Sequence, residues 1–232
     1  MNYIKKHIIL LLFIALSFSQ AWATTTLKKV KYNYLLHLPQ DYGKDPNKKW
    51  PVIFYLHGRH ASGKNLESLE RYGLPYYLLK GKKVDFVVVS PQCPWNRNWS
   101  SDDWFNPVYD ELSAKLQLDN DRVYLIGMSM GGFGTWWMLA NSRDTWAAAI
   151  PICGGGSGKA AMNFKDVPIR IFHGAADDVV PPRSSELMAL ALKEVGGKAE
   201  LTIYPGVGHD SWTRTYRDPE VIKWLFAQRK PD

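Results

Sequence analysis

At 232 residues, with 46% hydrophobic and 22% charged residues, the chain is long enough for one domain with a sizeable core and too balanced in composition for a disordered or repeat protein. Its formal charge of +7 is spread over scattered lysines, among them Lys28, Lys29, Lys31, Lys44, Lys48, Lys49, Lys80, Lys82 and Lys83, interleaved with turn residues; this reads as solvated surface and argues against a nucleic-acid face. Two cysteines, Cys93 and Cys153, are too few for a disulfide-stapled small fold, and sequence alone leaves open whether they bridge.

The first elements concern the chain's address. Residues 1–7 carry Lys5 and Lys6 and no acid, residues 8–18 are apolar except for Ser17, and Ala21-Trp22-Ala23 is a small-x-small cleavage pattern. The apolar stretch is short for a bilayer span, which needs about 20 residues. Residues 1–23 are therefore expected to be a cleaved signal peptide, with 24–232 as the mature domain in the periplasm or outside the cell and no stable membrane anchor. Losing two lysines and no acid lowers the charge from +7 to +5.

Beyond residue 26, apolar runs alternate with helical patterns. Residues 27–38 alternate in part (Val30, Tyr32, Tyr34, Leu36, Leu38) and predict an early antiparallel strand. PVIFYLH at 51–57, VDFVVVS at 84–90 and RVYLIG at 122–127 are continuous apolar runs of the kind buried on both faces of a parallel sheet; AAAIPIC at 147–153, IRIFH at 169–173 and AELTIY at 199–204 follow. Helices are predicted over 65–79, over 108–118 behind a cap at Asn106-Pro107, over 130–140, over 184–195 ending at Gly196-Gly197, and over 219–228. This alternation predicts an α/β fold: a mainly parallel sheet with helices on both faces, in one domain. Ligands of such sheets bind at the carboxyl ends of the strands, so the residues after each run are the ones that carry chemistry.

Gly127-Met128-Ser129-Met130-Gly131 follows one buried run and opens a helix. In that setting G-x-S-x-G is a nucleophile turn. The glycines permit close backbone approach, Ser129 is lifted to the rim, and the helix N-terminus below favours negative charge. A serine hydroxyl needs a base, and with this turn the partners follow in the order Ser, acid, His. His173 sits at the next strand end with no acid strand before it; His209, in Tyr204-Pro205-Gly206-Val207-Gly208-His209, follows the last strand and is the expected base. Asp177 and Asp178 both lie between, and spacing does not choose between them. The oxyanion donors are expected to be the backbone N–H groups of Met130 and of Arg59, which follows His57-Gly58; His57 itself is read as a brace for that loop. Trp95, Trp99, Trp104 and Trp212 lie in segments near the rim. They are candidate platforms for sugar rings or aromatic acyl groups, with core closure as the alternative, whereas Trp136, Trp137 and Trp224 on predicted helices read as core. His57 and His60, three apart in a glycine-containing loop without a carboxylate cluster, do not make a metal site.

Together, PVIFYLHGRHASG, VVVSPQCPW, DRVYLIGMSMGGFGTWWM, AAIPICGGG, IRIFHGAADDVVP and YPGVGHDSW resemble the phospholipase/carboxylesterase and polyhydroxybutyrate-depolymerase-like, dienelactone-hydrolase-related branch of the α/β-hydrolases, over about residues 27–228. The H-G-x-x-D-x-x-V-P register of that branch implies Asp177 as the acid, although Asp178 stands where the branch often has proline. The resemblance implies ester hydrolysis through an acyl-enzyme with no cofactor, and the branch includes acetyl and feruloyl esterases; no lid-like insertion interrupts the motifs, and the tryptophans near the rim point to small or carbohydrate-linked esters (acetyl or feruloyl). Cysteine-based lactone hydrolysis is disfavoured because position 129 is serine. The competing readings are a prolyl-oligopeptidase-like peptidase, which usually carries an extra domain, and a non-catalytic carbohydrate-binding protein. The oligomeric state is not legible.

Overall fold

A computed structural model describes residues 27–79 and 84–230; the expected signal segment lies outside the described residues. Seven strands form one sheet: β1 (Tyr34–His37), β2 (Trp50–Leu56), β3 (Val87–Pro91), β4 (Leu118–Met128), β5 (Ala148–Ile152), β6 (Ile169–Gly174) and β7 (Ala199–Tyr204). Their spatial order is β1-β3-β2-β4-β5-β6-β7, with β1 antiparallel to β3 and every other neighbour parallel. The continuous apolar runs are the central strands, since β2, β3 and β5 are buried at every position.

The helices are α1 (Gly73–Leu79), α2 (Phe105–Lys115), α3 (Met130–Asn141), α4 (Arg183–Glu194), α5 (Ser211–Arg217) and α6 (Pro219–Phe226). Phe105, Val108 and Leu112 of α2, Trp136, Met138 and Leu139 of α3, and Met188 and Leu192 of α4 pack with Val52, Phe54, Val123 and Leu125 on one face of the sheet. Leu74 of α1, Trp212 and Tyr216 of α5, and Val221 and Leu225 of α6 pack with Ile53, Tyr55, Tyr124 and Ile126 on the other. Alternate side chains of one strand therefore feed two cores, as the two-residue period of a strand dictates. No helix among the described residues is long and apolar enough to cross a membrane.

Several boundaries differ from the sequence pattern, three of them most. The predicted antiparallel strand shrinks to Tyr34–His37, and Lys29 makes only an isolated bridge to Asp103. The helix predicted over 65–79 is a 3-10 segment, Leu66–Arg71, followed by α1. It breaks because Tyr72 is extended and Gly73 adopts φ +66, where a Cβ would lie 1.8 Å from the Tyr55 hydroxyl. The helix predicted over 108–118 starts and ends earlier, leaving Leu118 to open β4. Gly196-Gly197 does stop α4: Gly196 has φ +70 and the Gly197 N–H bonds Leu192 O at 2.7 Å. The short helix α5, with Asp210 as its N-cap, was not legible in the pattern.

Candidate active site

The site lies at the carboxyl ends of β2, β4, β6 and β7. Ser129 caps α3 directly after β4 with φ 54 and ψ −118, a strained conformation for a residue with a Cβ. Its surroundings leave no room to relax. A Cβ on Gly127 would sit 2.1 Å from Gly131 O, and one on Gly131 would sit 1.9 Å from Leu56 O. The Ser129 N–H bonds Ile152 O at 3.0 Å, pinning the turn to β5.

His209 and Asp177 arrive from two laced loops. Gly174 ends β6 where a Cβ would meet Gly208 O at 2.2 Å, and the Ala176 N–H bonds Val207 O at 2.9 Å. The result is a continuous hydrogen-bonded line: Ser129 Oγ to His209 Nε2 at 2.9 Å, and His209 Nδ1 to Asp177 Oδ2 at 2.8 Å. The ionised carboxylate can only accept, so Nδ1 carries the proton and Nε2 presents its lone pair to the serine hydroxyl. Asp177 Oδ1 accepts the N–H groups of Val179 and Val180 at 3.0 and 2.9 Å. Burial pushes the Asp177 carboxyl up, but the bonds from His209, Val180 and Val179 outweigh it and hold the group below the usual carboxylate range. Asp178 is exposed, so of the two aspartates Asp177 is the one brought to the imidazole.

The residues expected to supply oxyanion donors stand at two helix starts. Met130 is the first residue of α3, and Arg59 opens the 3-10 turn Arg59–Ala61. Backbone N–H groups at such starts have no partner within their own helix. His57 braces the second of these. Its Nδ1–H bonds Gly58 O at 2.7 Å, and its Nε2 accepts the Cys93 N–H at 3.0 Å, tying the end of β2 to the end of β3. Burial pushes this imidazole down to about 4. Arg59 extends its side chain to Arg97 O at 2.9 Å.

A cleft of about 500 Å³ opens beside Ser129 and Met130, walled by Phe133, Trp137 and Trp99 and rimmed by Arg59, Asn98 and Ser100. The tryptophan expectations are corrected here. Of the four candidate platforms only Trp95 is exposed, at 64%. Trp104 is fully buried, stacked on Tyr32 and donating to Trp99 O at 3.0 Å; an indole this enclosed is scaffold. Trp99 is buried against His57 and donates to His57 O at 3.2 Å, touching the cleft only as part of its wall. Trp212 is buried edge-on to the His209 ring, at 5.4 Å between centroids. Conversely, Trp137, expected in the core, is half-buried and lines the cleft, and the exposed Phe133 was missed. Helical spacing could have found Phe133, since 130, 133, 134 and 137 share one face of α3. His60 is exposed, stands edge-on to Tyr72 at 4.4 Å and lies close enough to His209 for their charges to interact.

Cys93 and Cys153 are both free and buried, in the cores on opposite faces of the sheet. Among the described residues, one group of His, Cys and carboxylate atoms lies at ion-sharing distance, Cys153 with Asp177 and His209, where the latter two already hold each other.

Residues 102–223 match the family model of the dienelactone hydrolase family. A solved thermostable esterase is 33% identical with a TM-score of 0.73, over 84% of this chain and 59% of that one. The bifunctional acetylxylan esterase/xylanase XynS20E of Neocallimastix patriciarum is 33% identical over 101 residues, 41% of this chain but 15% of that protein. Feruloyl esterase D of Neurospora crassa is 28% identical over 169 residues, 68% of this chain and 57% of that protein. The chain thus spans less than two thirds of the length of these relatives.

Proposed function

The chain belongs to the dienelactone hydrolase family, and from that premise we propose that it is an exported serine carboxylic ester hydrolase working through Ser129, His209 and Asp177. The observation that carries the reading is the unbroken line from Ser129 Oγ through the imidazole to a buried carboxylate. His209 Nε2 takes the hydroxyl proton as Ser129 Oγ attacks the ester carbonyl; Asp177 stabilises the imidazolium that forms. The oxyanion is received by the N–H groups of Met130 and Arg59, a contribution of about 3 kcal/mol per donor in comparable sites. His209 then protonates the leaving alcohol, and water resolves the acyl-enzyme by the same path in reverse.

The leaving oxygen must lie near His209 Nε2, whereas the cleft opens on the side of Met130 and Arg59. The cleft therefore takes the acyl group and the side of His60 and Tyr72 takes the alcohol. Aromatic walls with a polar rim suit a hydroxylated aromatic acid as well as acetyl, and the exposed Trp95 suits a sugar ring. The names of the acetylxylan and feruloyl esterase relatives support small or carbohydrate-linked esters. Export rests on the charged, apolar and small-residue pattern of residues 1–23.

The test is hydrolysis of p-nitrophenyl acetate, butyrate and octanoate and of methyl ferulate by protein starting at Thr24 and by its Ser129→Ala variant. Turnover by the first and near-complete loss in the folded second is the expected result. Full activity in the variant would remove Ser129 from the reaction. Cleavage of peptide p-nitroanilides alone would move the chain to the peptidases.

A further inference from the structure

His173 is a fully buried imidazole to which the mechanism above gives no task. Its Nε2 lies 2.9 Å from Val180 O and 3.1 Å from Asp177 Oδ2. Both of those atoms accept only, so Nε2 carries a proton. Its Nδ1 is 2.7 Å from Ser185 Oγ, which is in turn 3.0 Å from Gly154 O beyond the end of β5. The ring is thereby clamped between β6, α4 and the β5 loop. Asp177 Oδ2 meets the nitrogens of two histidines, His209 at 2.8 Å and His173 at 3.1 Å, while Oδ1 is filled by two backbone N–H groups.

We propose that His173 is a positioning residue for the triad: its Nε2–H, hydrogen-bonded to Val180 O and 3.1 Å from Asp177 Oδ2, keeps the carboxylate in place toward His209 and draws part of its charge away from that imidazole. The inference rests on the triad reading. It goes beyond it in making the acid a carboxylate shared by two imidazoles. Removing that N–H dipole from beside Oδ2 leaves the carboxylate more basic, which favours protonated His209, so the acid limb of the kcat/KM profile moves to higher pH. A core histidine that merely fills space would not move that limb. The other ionisable groups around the pair are Cys153 from the end of β5, His60 after β2, Asp210 at the start of α5 and the exposed Asp178, and the variants below alter none of them.

Two substitutions separate the roles. Asn in place of His173 keeps a polar atom near the Nδ1 position for Ser185 but does not reach Asp177; Gln places an amide N–H near the Nε2 position. With the best ester from the assay above, His173→Asn is expected to raise the acid limb by about half a pH unit or more. It should also lower kcat about tenfold, as the carboxylate is held less firmly toward the imidazole, with KM little changed. His173→Gln should restore the limb. A folded His173→Asn with the wild-type limb and kcat overturns the proposal. Should His173→Asn not fold, nitrogen-15 NMR of the histidine-labelled native protein decides: His173 Nε2 must be protonated at neutral pH, and an unprotonated Nε2 overturns it. Loss of turnover in Ser129→Ala together with unaffected His173 variants would sink this inference alone, whereas turnover by Ser129→Ala would sink the triad reading beneath it.

Discussion

At the scale of single residues, the oxyanion loop depends on an imidazole kept neutral by burial and held by backbone. His57 is this residue: its Nδ1–H donates to Gly58 O and its Nε2 accepts the Cys93 N–H, and a second proton on Nε2 would break the latter contact. Its folded value near 4 lies below the ordinary 6.5. Between those values the unfolded chain binds more protons than the folded one, so stability rises with pH across this window. The contribution is fully present above about pH 6.5 and is lost as pH falls toward 4, amounting to roughly 3 kcal/mol. Thermal unfolding followed from pH 7 to pH 4 should therefore show wild type losing its advantage over His57→Gln, which has nothing to titrate there. A constant gap between the two would mean that His57 is not buried as a neutral ring.

At the scale of elements, α3 does two tasks with two faces. Gly131 and Gly132 bring it against β2 and β5, where added Cβ atoms would lie 1.9 Å from Leu56 O and 2.4 Å from Ile152 O. One turn on, Phe133 and Trp137 face the cleft. Phe133 is 45% exposed, so its removal leaves no internal cavity. Phe133→Ala should raise KM for methyl ferulate about fivefold, the worth of one aromatic contact near 1 kcal/mol. Its effect on p-nitrophenyl acetate, which does not reach that wall, and on the melting temperature should be small. Equal losses on both esters would place the aromatic acyl group elsewhere.

At the scale of the whole molecule, the doubly covered sheet keeps its two thiols apart. Cys93 lies in the core with α2, α3 and α4 and Cys153 in the core with α1, α5 and α6, and burial pushes each thiol up to about 12. A thiol reagent at pH 8 should therefore find none in the native protein and two after denaturation, and a reductant should leave the melting temperature unchanged; a reductant-dependent melt would contradict the free state. What the sequence by itself determined was periodic or covalently local. The β2–β7 runs, the α3 turn at Gly127–Gly131 and the order serine, acid, histidine are of this kind, because burial on both faces and tight backbone approach leave their mark on adjacent residues. Tertiary structure alone decided what depends on distant neighbours. Tyr55 breaks the helix at Gly73, Tyr32 and His57 enclose Trp104 and Trp99, and the laced β6 and β7 loops bring the Asp177 carboxylate to His209. An indole's exposure or a carboxylate's partner is set by what folds against it, and no spacing along the chain encodes that contact.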